Sequence, residues 1–221
     1  MSNLTLIIGN KNYSSWSLRP WLFMAHYNME FIEKRIPLFT PSTEQELAQY
    51  NSDFKVPVLH DQDKDLTVWD SLAIMEYLSE NYLQGKGWPE DVNQRAMARS
   101  VSAEMHSSFS HVRNEFPMNC RRKFTHIKPT KDAQREIQRI SELWSRCQDQ
   151  QSNSGPWLFD EFSIADAMFA PIAVRFAGYQ ITLSDSAQAY VETMLNHPAV
   201  QLWVKAGKLE SEVIDEDEIE L

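Results

Sequence analysis

The stretch Val56-Pro57-Val58-Leu59-His60-Asp61-Gln62-Asp63-Lys64-Asp65-Leu66-Thr67-Val68-Trp69-Asp70-Ser71 decides the fold. Two short runs rich in apolar and β-branched residues, Val56–His60 and Leu66–Trp69, flank a polar turn over 61–65, which predicts a β-hairpin. Asp70-Ser71 then suits a helix start. Apolar residues at Leu72, Met75, Leu78 and Tyr82, and also at Ile74 and Tyr77, predict a helix packed on two faces. Upstream, Leu4–Ile8 reads as a buried strand, about Trp16 to Tyr27 as a helix, and Phe31–Ile36 as a second strand. Pro41-Ser42-Thr43 with Glu44 and Glu46 reads as the start of a short helix. The order β-α-β-α-β-β-α over residues 1–83 is that of a small α/β domain.

Beyond it, helical periodicity dominates. Gly85 and Gly87 mark a linker over 84–91. Met97, Val101, Met105, Phe109, Val112 and Phe116 predict one long amphipathic helix ending before Pro117, with Met105 and Phe109 in the core. A second helix is expected over Lys131–Gln150, a third after the capping box Ser163-x-x-Asp166, and two shorter ones over 184–195 and 198–206. The fold class is therefore two-domain α+β: an α/β domain over 1–83, an all-helical domain over 92–209, and an acidic tail over 210–221.

Composition narrows the function classes. The 221 residues are 43% hydrophobic and 24% charged, an ordinary globular balance. The net charge of −10 is unevenly placed: without the seven acids of 210–221, 24 acids face 21 bases. No basic stripe suits a nucleic acid, and no apolar run suits a membrane span. The opening M-S-N-L-T-L carries no basic leader, so a cytoplasmic location is expected. Cys120 and Cys147 form no CxxC pair, which argues against a metal or dithiol site, and both are expected to be buried or inert. The tail reads as a disordered, solubilising end.

Three polar patches stand at strand ends or helix starts, where unpaired N–H groups and positive partial charge collect. Ser14 and Ser15 suit either hydrogen bonding to an anion or plain helix capping, and no G-x-S-x-G elbow accompanies them. Val56 before Pro57 is held extended and offers its N–H and C=O to a peptide-like ligand. A cis bond here would mark a tight turn, but on this dipeptide alone a simple edge strand with a trans proline is the stronger reading. Asp70 and Ser71 complement the ammonium and carboxylate of an α-amino acid head group, or simply cap a helix. Arg99, Ser102, His106, Ser110 and Arg113 form a polar stripe on the long helix. His106 or Arg113 could face an acidic substrate, and Arg175 is a further candidate. A solvated or dimer-facing stripe reads as well.

Taken in order, these patches resemble the cytosolic glutathione transferase family over nearly the whole chain. Ser14 to Arg19, S-S-W-S-L-R, resembles the S-S-C-S-W-R signature of its zeta class, which includes maleylacetoacetate isomerases. V-P-V-L and W-D-S-L-A-I-M-E-Y-L resemble its cis-proline turn and glutamyl-binding helix, and Ser163-Ile164-Ala165-Asp166 its capping box. The resemblance implies a thioredoxin-like first domain, a homodimer, glutathione as cosubstrate without a metal, and a small electrophile as second substrate. It implies Ser14, with Ser15 as understudy, as the donor that stabilises the thiolate. It also implies Lys55, Val56, Asp70 and Ser71 as glutathione contacts, and Pro57, Ser163 and Asp166 as structural residues. Trp16 replaces the signature cysteine and Leu18 its tryptophan, which favours transferase or isomerase chemistry over thiol-dependent reduction. Conjugation leads, zeta-like cis-trans isomerisation follows, and a non-catalytic scaffold on this fold is the alternative from another class.

Overall fold

Strand β1 (Leu4–Ile8) is apolar at every position but Thr5, because helices cover both of its faces. The structure, a computed structural model, describes residues 3–50 and 52–219. In chain order β1 is followed by α1 (Ser15–His26), β2 (Ile32–Arg35), α2 (Thr43–Ala48), β3 (Val58–Asp61), β4 (Leu66–Trp69) and α3 (Ser71–Tyr82). The sheet order is β2-β1-β3-β4, with β1 and β2 parallel and the other pairs antiparallel. Strand side chains alternate between faces. Leu6, Ile8 and Leu59 meet Leu18 and Leu22 of α1 and Ile74 and Leu78 of α3, while Ile7 and Val58 meet Leu47 of α2 on the opposite face.

The helical unit comprises α4 (Val92–Ser107), α5 (Ser110–Glu115), α6 (Lys131–Gln148), α7 (Ile164–Gly178), α8 (Asp185–Asn196) and α9 (Pro198–Leu209). Helix α7 is buried over nearly its whole length and packs against α1, α4 and α8, so one continuous core joins the two units. Among the described residues, no helix is long and apolar enough to cross a membrane.

Three expectations are corrected. The helix expected to run unbroken from Met97 to Phe116 stops at Ser107, and Phe109 takes a left-handed φ of 65° before α5 begins. Arg113 accounts for the break: its guanidinium donates to the carbonyls of Ser108 (3.0 Å), His106 (3.2 Å) and Met105, groups that a helix end leaves without partners. Met105 and Phe109 are nonetheless core. Secondly, β3 lies between β1 and β4 and is not an edge. Pro57 stands just before it and takes no ladder position.

Thirdly, the acidic segment 210–219 is docked rather than disordered. The Glu210 carboxylate accepts the backbone N–H groups of Lys11 (2.8 Å) and Asn12 (3.0 Å). Glu212 pairs with Arg35 at 2.8 Å, and Glu218 accepts from the Tyr13 hydroxyl at 2.6 Å. Gly207 lets α9 approach this loop, since a Cβ there would lie 3.0 Å from Asn12 N.

Candidate functional site

A cavity of about 1100 Å³ opens where the loop before α1, the turn before β3, the start of α3 and helix α7 converge. Ser14, Ser15, Lys55, Val56, Pro57, Asp70 and Ser71 all line it, so the topology gathers these candidates from separate elements. Ser14 is the N-cap of α1: its Oγ accepts from Ser17 N–H (3.4 Å) and donates to Ser17 Oγ (2.8 Å). The capping reading of Ser14 is therefore realised in this state. Ser15 differs. Its Oγ accepts from Arg175 Nη2 at 3.1 Å, and among the described residues nothing receives its proton.

The Val56–Pro57 bond is cis. Val56 lies outside the β3 ladder, and among the described residues no hydrogen bond engages its N–H or C=O. Lys55 Nζ pairs with Asp53 at 2.8 Å on the open rim, where both side chains are more than three-quarters exposed.

Asp70 caps α3, with Oδ1 accepting from Leu72 N–H (2.9 Å) and Ala73 N–H (3.2 Å). It does so at φ 74°, a strained position for a residue with a Cβ and a kind of strain concentrated at functional sites. Its Oδ2 lies 2.5 Å from His106 Nε2. The neighbouring Ser71 hydroxyl is fully buried without a hydrogen-bond partner among the described residues. Ser71 is thus a cavity-lining residue whose hydroxyl has hydrogen-bonding capacity left over.

Three arginines cluster at and behind this wall. Trp16 lies between Arg19 (4.2 Å from the ring) and Arg113 (4.8 Å) and meets His106 edge-on. His106 and Arg113 do not line the cavity. His106 holds Asp70, and Arg113 holds the α4–α5 break. Arg175 does line it, 6% exposed, and donates to Phe116 O (2.5 Å) and Arg113 O (3.2 Å) as well as to Ser15. Burial, and then the nearby Arg113 charge, bring its pKa down to about 10. The available sequence signal was that Arg175 is the one basic residue in α7. Tyr13, which opens the serine stretch, and Asp217 also line the cavity. Asp217 sits in an acidic run with no local mark of where that run docks.

Ser163 and Asp166 lie elsewhere, at the start of α7. Asp166 is fully buried and accepts from Leu158 N–H, Ser163 N–H, Ser163 Oγ and Tyr190 Oη at 2.9–3.1 Å. Burial still raises its pKa to about 6. Cys120 and Cys147 are buried, and that burial pushes both thiols up to about 12.

Comparison with known proteins matches residues 13–81 to the model of the glutathione S-transferase N-terminal domain and residues 123–206 to that of the C-terminal domain. A dichloromethane dehalogenase of Methylophilus leisingeri is 40% identical over 68 residues, covering 30% of this chain and 25% of that protein. A probable maleylacetoacetate isomerase of Caenorhabditis elegans is 30% identical over 114 residues, covering 52% of each. The chain thus spans from a quarter to about half the length of these relatives. Among solved structures, a glutathione transferase homolog from Burkholderia gl BGR1, determined with bound glutathione, superposes at a TM-score of 0.67. It has 24% identity and covers 93% of this chain and 97% of its own. An unclassified glutathione S-transferase of Bombyx mori gives 0.71 with 20% identity and 94% coverage of both. These two likenesses are of fold: a thioredoxin-like four-stranded domain followed by an all-helical one.

Proposed function

The chain belongs to the glutathione S-transferase family, and from that premise we propose that it ionises glutathione and directs the thiolate onto small electrophiles. The observation that carries the reading is the pair of hydroxyls at the start of α1, with the Ser15 proton uncommitted and its oxygen held by a buried guanidinium. A free thiol has a pKa near 8.5, so only a few per cent is ionised at pH 7. Hydrogen bonds from Ser14 and Ser15, the helix N-terminus and the Arg175 charge all favour the anion. A lowering of about two units corresponds to roughly 2.7 kcal/mol, within reach of charge-assisted bonds plus a helix end. Ser14 contributes once its hydroxyl turns from Ser17 Oγ to the sulfur. Neither serine is a nucleophile; the glutathione sulfur forms the new bond, and the electrophile's leaving group departs with the electron pair.

The remaining candidates bind the tripeptide. The Val56 N–H and C=O hold the cysteinyl backbone, and Lys55 exchanges Asp53 for the glycyl carboxylate. Asp70 takes the γ-glutamyl ammonium, and Ser71 takes the γ-glutamyl carboxylate with its orphan hydroxyl. Residues 1–83 form the glutathione-binding unit and 92–209 the helical unit, joined by the linker 84–91. The active form is a cytoplasmic homodimer.

Arg175 on the cavity wall favours a second reading, zeta-like isomerisation. Thiolate addition to a cis-dienoic dicarboxylate, bond rotation and elimination return glutathione unchanged, with the guanidinium pairing one carboxylate. Incubation with glutathione and an uncharged aryl or alkyl halide tests the main reading, and formation of the thioether above the uncatalysed rate is expected. Isomerisation of the cis-dienoic acid without glutathione consumption, in the absence of conjugation, would replace it with the second. Binding of glutathione without either reaction would leave a scaffold.

A further inference from the structure

The carboxylate at the start of α3 is held by a residue of the other unit. Asp70 belongs to the α/β unit and lines the cavity, whereas His106 stands in the last turn of α4, in the helical unit. His106 Nε2 lies 2.5 Å from Asp70 Oδ2. A carboxylate only accepts, so the imidazole carries its proton on Nε2 and donates it to Oδ2.

His106 is itself placed from two sides. Its ring meets Trp16 edge-on, with centroids 5.3 Å apart, and its backbone carbonyl accepts from Arg113 Nη2 at 3.2 Å. Trp16 is in turn gripped between the guanidinium groups of Arg19 and Arg113. The two oxygens of Asp70 are therefore held separately: Oδ1 by the Leu72 and Ala73 N–H groups of its own helix, Oδ2 by an imidazole fixed across the fold. Oδ2 has this single partner among the described residues, and the Asp70 side chain is 38% exposed, so the oxygen keeps an acceptor site that a ligand can reach. The strained φ of 74° at Asp70 is a conformation that persists only where the surroundings impose it.

We infer that His106 is a positioning residue for amine recognition: by holding Asp70 Oδ2, the helical unit completes the subsite that selects a ligand with a free α-ammonium group. The inference rests on the reading that Asp70 takes the γ-glutamyl ammonium of glutathione, and it deepens that reading by naming the group that sets Asp70. His106 acts through Asp70 and not on the ligand. A carboxylate fixed in advance loses less freedom on binding than one the ligand has to order. The requirement is for a donor at the position of Nε2. A glutamine amide supplies one from a similar reach, and an apolar leucine does not.

The test is the ratio of affinities for glutathione and for glutaryl-cysteinyl-glycine, the same molecule without its amino group, by calorimetric titration. The two ligands differ only at the ammonium, so a variant that merely loosens the fold weakens both alike. Wild type is expected to prefer glutathione by roughly tenfold to a hundredfold. His106→Leu should lower that ratio by about threefold to tenfold, through weaker glutathione binding with the analogue unchanged. His106→Gln should keep it within about twofold of wild type. In an Asp70→Asn background, His106→Leu should move neither affinity. His106→Asn, whose shorter amide stops short of Oδ2, takes the place of His106→Leu if the latter does not fold, with the same expected loss. A wild-type preference that survives the loss of the donor, a loss shared equally by both ligands, or a loss that glutamine does not restore would overturn this inference alone. Failure of wild type to bind glutathione would instead overturn the glutathione reading. Equal binding of the two ligands by wild type would overturn the role of Asp70, and in both cases this inference falls with it.

Discussion

Two helix starts in this molecule are built from the same residue types and differ in how their polar groups are partnered. At α7, Ser163 and Asp166 are buried together, and every polar atom of the Asp166 carboxylate is supplied from the chain itself: two backbone N–H groups, a serine hydroxyl and a tyrosine hydroxyl. At α3, Asp70 and Ser71 stand on a cavity wall. Asp70 is partly exposed and held at a strained φ, and the Ser71 hydroxyl beside it is buried without a partner. The first pair is complete and the second is not. Composition and spacing make both read as helix caps, and what separates them is whether the hydrogen-bonding capacity is already spent within the chain.

The largest effect expected from this contrast is at the completed pair. Asp166→Ala leaves four buried donors without an acceptor, and the stability loss should reach about 3–5 kcal/mol, beyond the 0.5–2 kcal/mol of an ordinary cap. Chemical denaturation measures it. Glutathione affinity, measured at a temperature where the variant is still folded, should match wild type; a matching melting curve with lost binding would reverse the roles assigned to the two helix starts.

Next comes the open pair. Asp70→Asn keeps a side-chain oxygen for the Leu72 and Ala73 N–H groups and tolerates a positive φ, so stability should change by less than about 1 kcal/mol. The lost charge should weaken glutathione binding by roughly tenfold to a hundredfold, the range for a hydrogen bond to a charged group. Titration calorimetry reads it directly. Unchanged affinity would make this pair another plain cap.

The smallest effect sharpens the contrast at a third polar pair, which ties the two units together away from the cavity. His26 Nδ1 and His197 Nε2 are 2.9 Å apart, and His197 Nδ1 accepts from Ala199 N–H, so His197 donates from Nε2 and both rings are neutral. The rings stack with Phe162, and the Tyr27 hydroxyl beside them donates to backbone carbonyls. Burial and the second imidazole lower the His26 pKa to about 4. The unfolded chain, with a value near 6.5, binds more protons between these limits. The pair's stability is therefore present above about pH 6.5 and lost as the pH falls toward 4. Asp166, raised to about 6, acts with the opposite sign across the same window. The wild-type slope mixes the two, and comparison with His26→Phe isolates the histidine. The melting temperature of the variant should fall less than that of wild type from pH 6.5 to 4; identical slopes would remove the histidine pair from the account.

The strands and most helix starts were legible because each was marked locally. Leu4–Ile8 is enclosed on both faces and has to be apolar, Asp61–Asp65 is a polar turn between two β-branched runs, and Asp70 and Ser163 precede periodic apolar segments. What was missed depends on side chains that reach across the fold. The break at Phe109 follows from Arg113 taking three carbonyls of the preceding turn, which periodicity does not register. The docked acidic segment follows from Glu210 finding two N–H groups about 200 residues upstream. At the cavity, Ser14, Ser15, Val56, Asp70 and Ser71 could be picked out because strand ends and helix starts collect such groups. Arg175 could be noted only as a lone base in an apolar helix, and Asp217 had no signal at all.

The central claim is that hydroxyls at the start of α1, backed by Arg175, hold glutathione as its thiolate. The direct measurement is the ultraviolet thiolate absorbance of bound glutathione against pH, for wild type, Ser14→Ala, Ser15→Ala and the double variant. The account predicts a bound pKa about two units below the free value of about 8.5, rising in each single variant and returning close to the free value in the double. Binding with the free thiol's pKa in wild type, or a lowered pKa that survives in the double variant, would contradict it.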